Sequence, residues 1–481
     1  MRPISNLDVF ILTFNAAKRE IDIPVFARHL YNAFGQNASS LPELLAISLQ
    51  EMAPLAQAFI GSYVLNPYFQ RYESAVNTAA AMFIAREERQ SRPVDNPYTL
   101  ITTRNVGMTG ILLFARELEA VQGLRTAEVG FGAGDMANKG AVGLRILYRK
   151  DNEDGSLPIS TELTFVSAHL AAMEWNLSKR NKNWESIVSG LIFEDPKKTS
   201  ERSSTQHKLH NADDSETQEP LLGQEITQKA IHDVSIYKPG SHLFISGDLN
   251  YRVSKSSPAP NSTFPNLDPE SPNHFSRFLS RDQLNAEKAA GRTLHGLSEA
   301  PIKFPPTYKL VPSPKSLIQR GSSQTESEDD GSDKFEWSWA VHRWPSWCDR
   351  ILFLEIPWWA RETAGDIRMN VTAYDAFPAV RSSDHRAVFL RLEIPMLEPA
   401  ELLPTEYAFK TELGTDGHQP IDPRIKLPFP IDFRSRGHRA QVKKWESTIG
   451  WLMLVSQSKQ GIVAFVVLLL VGLGTWWYQS R

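Results

Sequence analysis

HLFISGDLNYRV, residues 242–253, is the stretch from which the fold of this chain is read. The apolar run at 243–246 meets Gly247 and then delivers an acid, Asp248, and an amide, Asn250, two positions apart. That pattern predicts a buried strand ending in a tight turn. Residues i and i+2 of an extended chain point to the same side, so Asp248 and Asn250 offer a base and a hydrogen-bond donor to one ligand. A lone GDxN also fits an Asx-capped turn after a strand, so other stretches must decide.

Working outward, several apolar runs stop on polar residues. DVFILTFN (8–15) ends on Asn15, LLAISLQE (44–51) on Glu51, and TELTFVSAHL (161–170) carries His169 near its end. Two later runs have the opposite polarity. WCDRILFLEI places Asp349 before its strand, and SSDHRAVFLRLEI places Asp384 and His385 before its strand. If the two kinds of strand run antiparallel, all these polar groups gather along one edge of the sheets. Helical stretches at 54–58, 74–88 and 175–192 lie between the strands without regular βαβ repetition. The expected class is therefore α/β, as layered sheets with outer helices rather than a doubly wound sheet.

The chain has 481 residues, more than one core usually fills, so a large domain with appendages is expected. Net charge is −3, from 52 basic and 55 acidic residues, which gives no general attraction for nucleic acid. The single cysteine, Cys348, excludes an intrachain disulfide and a multi-thiolate zinc site. A cysteine-phosphatase loop would need an arginine six residues on, and position 354 is leucine, so a quiet, packed thiol is expected.

The apolar run at 9–14 is too short for a targeting peptide. The other end differs: GIVAFVVLLLVGLGTWWY, 461–478, is eighteen residues without a charge, closing on Trp476, Trp477 and Tyr478. It is expected to be a short transmembrane helix with interfacial aromatics, a buried core helix being the alternative. Arg424, Lys426, Arg434, Arg436, Arg439, Lys443 and Lys444 precede it, so the body is expected to face the cytosol, with the basic run attracted to anionic lipid. The short span favours the thin endoplasmic reticulum membrane. The domain division is then a catalytic body at 1–397, a Pro-rich then basic linker at 398–460 and a tail anchor at 461–478. A flexible linker of that length reaches about 40 Å. Two polar inserts, 194–228 and 312–334, are expected to be mobile loops.

Carboxylates and amides without thiolates suit a hard, oxygen-seeking ion, Mg²⁺ when a phosphate completes its shell. Glu51 is the expected ligand, with Asn15 and Asp384 nearby. A phosphoryl group on that ion needs an aligned water, a base and donors for its equatorial oxygens. Asp248 fits the base, and Asn250, His169 and His385 fit the donors, with Asp349 beside His385 to favour a protonated imidazole. GFGAGDMANKGAV (130–142) matches neither common nucleotide loop, and its Lys139 reads as a phosphate contact or a solvated lysine. In FPPTYKL (304–310), Tyr308 and Lys309 suit a second phosphate, or simply an exposed turn.

LQE, MANKGAV, SAHLAA, Arg180 with Asn181, SGDLNYR, FPPTYK, PSWCDRI and SSDHRAV stand in the order found in inositol polyphosphate 5-phosphatases, within the wider endonuclease/exonuclease/phosphatase superfamily. The chain resembles that family over residues 6–395. The resemblance implies a four-layer α/β sandwich, two mixed β-sheets packed face to face with outer helices, and Mg²⁺-dependent hydrolysis of the inositol 5-phosphate without a phosphoenzyme. It implies Asn15 and Glu51 at the metal, Asp248 as base, Asn250 and His169 at the scissile phosphate, and Asp349 with His385 opposite. Tyr308, Lys309 and Arg343 fall to a neighbouring 4-phosphate. Two positions depart from the pattern, Val341 where many members have lysine and Met173 where they have histidine. A catalytic domain with a carboxyl-terminal anchor is similar to small fungal members on the endoplasmic reticulum. The expected partners are a phosphoinositide lipid and a membrane, with a monomeric catalytic domain and no nucleic acid.

Overall fold

The computed structural model describes residues 5–87, 96–151, 157–195, 231–313, 336–365, 367–414 and 420–480. Most of both polar inserts lies outside these residues.

Among the described residues the strands form two six-stranded sheets and a two-stranded ribbon. The first sheet runs, edge to edge, β13 (Asn370–Ala376), β14 (Val388–Pro395), β1 (Asn6–Asn15), β2 (Leu44–Gln50), β4 (Thr109–Ala115) and β3 (Thr99–Val106). The second runs β5 (Val121–Gly130), β6 (Gly140–Lys150), β7 (Ile159–His169), β8 (Ser241–Asp248), β12 (Asp349–Leu354) and β9 (Leu297–Ser298). The ribbon pairs β10 (Leu310–Pro312) with β11 (Trp337–Trp339). Both sheets are mixed. β1 is parallel to β2, and β7 to β8, while β1 is antiparallel to β14, and β8 to β12.

Burial on both faces explains why the central strands read as unbroken apolar runs. In β1, Val9 and Ile11 join Leu163 and Phe165 of β7 in the core between the sheets. Phe10, Leu12 and Phe14 alternate to the other face, under α1 (Ile23–Phe34) and α3 (Asn66–Glu87). The second sheet buries Val166, Leu243 and Ile245 under Trp184 and Ile187 of α4 (Leu177–Gly190). Helix, sheet, sheet, helix is the layer order. Each large side chain sealed in this way contributes about 1.5–3 kcal/mol. The interior between the sheets is not wholly apolar: Ser48 of β2 and Ser246 of β8 are hydrogen-bonded across it at 2.5 Å. Gly247 is needed for the parallel pairing beside it, since a Cβ there would lie 1.9 Å from the Ala168 carbonyl oxygen.

The described residues of 398–460 do not form the flexible linker their composition suggested. Arg424 and Ile425 are buried, with Arg424 bonded to Asp422 at 2.7 Å and its guanidinium over the Trp359 ring. Helix α5 (Ser435–Gln457) then lies on the body against α2 (Leu55–Ile60) and β5, burying Arg439, Val442, Glu446 and Gly450. Two of the basic residues expected to meet lipid are thus turned inward, and Lys443 pairs with Glu128 at 3.2 Å. After Ser458, helix α6 (Lys459–Gln479) covers the stretch expected to span a membrane. Among the described residues no helix is long and apolar enough to cross a membrane. Eight side chains of α6, at 459, 460, 462, 464–466, 468 and 469, fall outside that description.

Candidate active site

Strand register assembles the site. Asp248, the last residue of β8, is the Cα partner of His169 on β7 and of Asp349 on β12. The first sheet supplies the rest at the same edge: Asn15 ends β1, Glu51 follows β2, and His385 precedes β14. Ser383 ties two of these together, donating from Oγ to the Asn15 carbonyl at 2.6 Å and accepting the His385 N–H at 3.0 Å.

Asp248 is fully enclosed. Its Oδ2 accepts from Asn15 Nδ2 at 3.0 Å and lies 3.2 Å from His169 Nε2, while Oδ1 accepts the Asn250 N–H at 3.1 Å. Burial opposes its charge, but His169, His385 and Lys139 hold the carboxyl well below the usual range. Lys139 Nζ also meets His169 Nε2. Burial lowers Lys139 to about 8, and burial together with the Lys139 charge lowers His169.

His385 is tuned the other way. Its Nδ1 is 2.8 Å from Asp349 Oδ2, which also accepts from Thr307 Oγ1 at 2.6 Å. Burial works against the imidazolium, yet the Asp349 carboxylate raises His385 to about 9. At neutral pH it is a cation. Its Nε2 stands 4.0 Å from Asp248 Oδ2, beyond hydrogen-bond reach, which leaves that N–H for a ligand between them.

Asn250 has φ of 58°, a left-handed conformation that asparagine tolerates well. Its Nδ2 donates one hydrogen to the Leu170 carbonyl at 3.2 Å and keeps a second, while Arg252 Nη2 holds its Oδ1. Glu51 also has positive φ, 45°, which is uncommon for a carboxylate residue and marks a position held by its surroundings. Burial notwithstanding, His169, Lys139 and Lys18 keep Glu51 below the usual carboxylate range, with Lys18 Nζ at 3.2 Å.

The donors for a hard cation are the Glu51 carboxylate and Asn15 Oδ1, on neighbouring parallel strand ends. Asn15 Oδ1 accepts only the Ala17 N–H at 3.0 Å among its described bonds, and Glu51 is one-quarter exposed, at 25%. All-oxygen donors at a deprotonated carboxylate fit Mg²⁺. Asp248, Asp349 and His385 also bring ligand atoms within 4.8 Å of one another. In that cluster His385 Nδ1 faces Asp349 Oδ2 at 2.8 Å, so Nε2 is the ring nitrogen turned toward Asp248. Asp384 accepts from Lys309 Nζ at 2.6 Å, and against burial His385 and Lys309 keep its carboxyl below the usual range.

Tyr308 closes the floor, with its ring 4.6 Å from that of His385 and beneath the Arg252 guanidinium. Arg343 lies further out, 3.7 Å from Glu174 and 3.4 Å from the Met173 sulfur. Met173, one of the departures noted in the sequence, therefore sits beside the arginine expected at a second phosphate. Val341, the other, is 77% exposed. Cys348 is buried, and burial pushes its thiol well up, in keeping with a packed, quiet cysteine.

Sequence reasoning missed Lys18, Arg252, Thr307 and Ser383. Arg252 had a usable signal, lying two residues beyond Asn250 with the same spacing that picked out Asn250 itself. Thr307 and Ser383 sit inside the quoted motifs but act on the polar atoms of neighbours, which spacing does not reveal.

The family pattern described as Endonuclease/Exonuclease/phosphatase family 2 matches residues 12–391, from β1 to β14. The chain belongs to this family. Its relatives within the family are inositol polyphosphate and phosphoinositide phosphatases. Polyphosphatidylinositol phosphatase INP53 of Saccharomyces cerevisiae is 24% identical over 85% of this chain and 28% of its own length. Inositol-1,4,5-trisphosphate 5-phosphatase 1 of Schizosaccharomyces pombe is 27% identical over 59% of this chain and 19% of its own. The chain thus spans about a quarter of such relatives. Among solved structures, the inositol polyphosphate 5-phosphatase domain of SPsynaptojanin, in complex with inositol (1,4)-bisphosphate and calcium ion, has the same fold. Its TM-score is 0.50 at 19% identity, covering 92% of this chain and 91% of that one. The family match ends before α5 and α6.

Proposed function

We propose that this chain is a Mg²⁺-dependent phosphoinositide 5-phosphatase that converts phosphatidylinositol 4,5-bisphosphate to phosphatidylinositol 4-phosphate and inorganic phosphate. The observation that carries the reading is the pair of opposed groups at one edge of the sheets, an Asp248 carboxylate kept anionic and a His385 imidazole kept cationic, 4.0 Å apart. Such a pair has a use when a water must be aligned on one side of a phosphoryl group whose charge is met on the other.

Asp248 orients a water and accepts its proton as the new oxygen–phosphorus bond forms. A carboxyl held so far below its usual range is a weak base, so orientation is the larger part of its work. The bond from phosphorus to the inositol 5-oxygen breaks, and that oxygen takes a proton from solvent. His385, Lys139 and the second Nδ2 hydrogen of Asn250 meet the charge on the phosphoryl oxygens, while His169 Nε2 stands between Asp248 and Lys139. Glu51 and Asn15 would hold the Mg²⁺, which supplies further positive charge to the phosphoryl group. Lys309, Tyr308 and Arg343 are the donors for a neighbouring 4-phosphate.

Attachment belongs to the same reading. Val463, Val467, Leu470, Leu473, Trp476 and Trp477 of α6 are exposed, so the helix is not packed as a core element. With the uncharged stretch at 461–478, this supports a membrane anchor, in the endoplasmic reticulum membrane with the body in the cytosol. The deciding assay is phosphate release from a panel of phosphoinositides and soluble inositol phosphates, with and without Mg²⁺. Release from 5-phosphorylated members that a chelator abolishes is expected. Nicking of plasmid DNA without phosphate release would replace the reading with a nuclease.

A further inference from the structure

Helix α5 lies beyond the family match, yet one of its side chains reaches into the loop that carries Lys139. Glu446 is buried, and its Oε1 accepts the Ala137 N–H at 2.6 Å. Arg439, two turns earlier on the same helix and also buried, donates to both carboxylate oxygens at 2.8 and 2.5 Å. The pair keeps an enclosed carboxylate compensated while leaving it aimed at the loop.

Ala137 is a junction. Its carbonyl accepts the Met108 N–H at 3.4 Å, and the Met108 carbonyl accepts the Met52 N–H at 3.3 Å. Met52 directly follows Glu51, and Lys139 is two residues beyond Ala137. A line of hydrogen bonds therefore runs from Glu446 past the phosphate-side lysine to the residue next to the expected metal ligand. Its middle is tight. At Gly107, with φ of +50°, a Cβ would fall 1.6 Å from the Ala137 oxygen, so only glycine lets the 107–108 turn pack directly on Ala137. A second contact from α5 grips the same loop, His438 Nε2 to Asp135 Oδ2 at 2.9 Å.

We propose that Glu446, braced by Arg439, is a positioning residue for phosphoryl transfer, fixing the 131–139 loop and through it the relative placement of Lys139 and Glu51. The claim rests on the phosphatase reading for its catalytic part. Glu446 touches no reacting atom, so its loss acts on geometry. Small displacements of groups that stabilise a transition state lower kcat more than substrate binding.

The test uses the full-length chain in detergent micelles, measuring kcat and KM on short-chain phosphatidylinositol 4,5-bisphosphate and amide hydrogen exchange on the same samples. Glu446→Ala is expected to lower kcat about tenfold with KM within about twofold, and to speed exchange at 136–139, 108 and 52. Glu446→Gln keeps an oxygen for the Ala137 N–H and should recover most of kcat. Val442→Ala, on the same buried face of α5 but without a bond to the loop, should lower the melting temperature and leave kcat alone. Wild-type kcat in Glu446→Ala, or an equal loss in Val442→Ala, overturns the proposal. Where Glu446→Ala yields no soluble protein, the double variant Arg439→Met with Glu446→Leu decides, since it removes the bond to Ala137 without leaving a buried charge unpaired; unchanged exchange at 136–139 there overturns the proposal. A wild-type chain that releases no phosphate removes the phosphatase reading, a result separate from the exchange pattern.

Discussion

Asp248 and Asp349 stand opposite each other as register partners on β8 and β12, and their carboxyl groups are pushed in opposite directions. Burial acts on both. Asp248 is surrounded by His169, His385 and Lys139, which hold it low, whereas burial and the Asp248 charge itself lift Asp349. Two neighbouring acids thereby differ, Asp248 held low among cations and Asp349 bonded to the His385 imidazole.

Asp248→Ala should lower kcat by about 10³-fold or more with little change in KM, since orientation of the water and its proton acceptor vanish together. Steady-state phosphate release with Mg²⁺ present measures it. Turnover near that of the unaltered chain would remove Asp248 from the reaction.

Asp349→Asn should move the basic limb of the pH–rate profile toward neutrality by a unit or more. His385 acts as a cation and titrates at about 9, so kcat/KM falls as pH rises through about 9, with Lys139 at about 8 contributing on the same side. The stability sign agrees. A folded-state value raised above the ordinary 6.5 adds stability fully below about 6.5 and loses it as pH rises through about 9. In Asp349→Asn the melting temperature should depend less on pH across that window. An unmoved basic limb would show that another group sets it.

Arg343→Ala should cost more on the 4,5-bisphosphate than on a 5-monophosphate, because charge-assisted bonds to a 4-phosphate exist only with the former. A tenfold difference between the two kcat/KM losses is the expected scale. Equal losses would mean that Arg343 serves Glu174, its 3.7 Å neighbour, and the fold instead.

Truncation at 460 and truncation at 434 should behave differently. Removing 461–481 should free the chain from membranes and preserve activity on a soluble short-chain substrate. Removing α5 as well should lower the melting temperature by several degrees, because the Arg439, Val442, Glu446 and Gly450 face is stripped from the body. Fractionation and thermal melts read the two effects. Equal melting temperatures would show that α5 adds nothing to the body.

The strand-end convergence was legible because apolar runs stopping on Asn15, Glu51 and Asp248 ran one way and those following Asp349 and His385 ran the other. Antiparallel pairing then left a single arrangement, and the registers bear it out. The Lys309 partner of Asp384 was not legible, because only the folded chain brings the two within 2.6 Å. Helix α5 was read as linker for a physical reason. Its buried face includes Arg439 and Glu446, which look solvent-seeking in the sequence and cancel each other once folded. Proline and basic content report what a segment is made of, not what it leans on.

A single residue, Ser458, separates the docked α5 from α6. With α6 in a bilayer, as proposed, the body hangs on one joint and not on a cord of about 40 Å. It cannot forage. Its working field becomes a fixed annulus of lipid around its own tail, refilled by lateral diffusion of substrate, so turnover in a crowded or slowly mixing membrane should be set by lipid mobility and not by the reach of the protein.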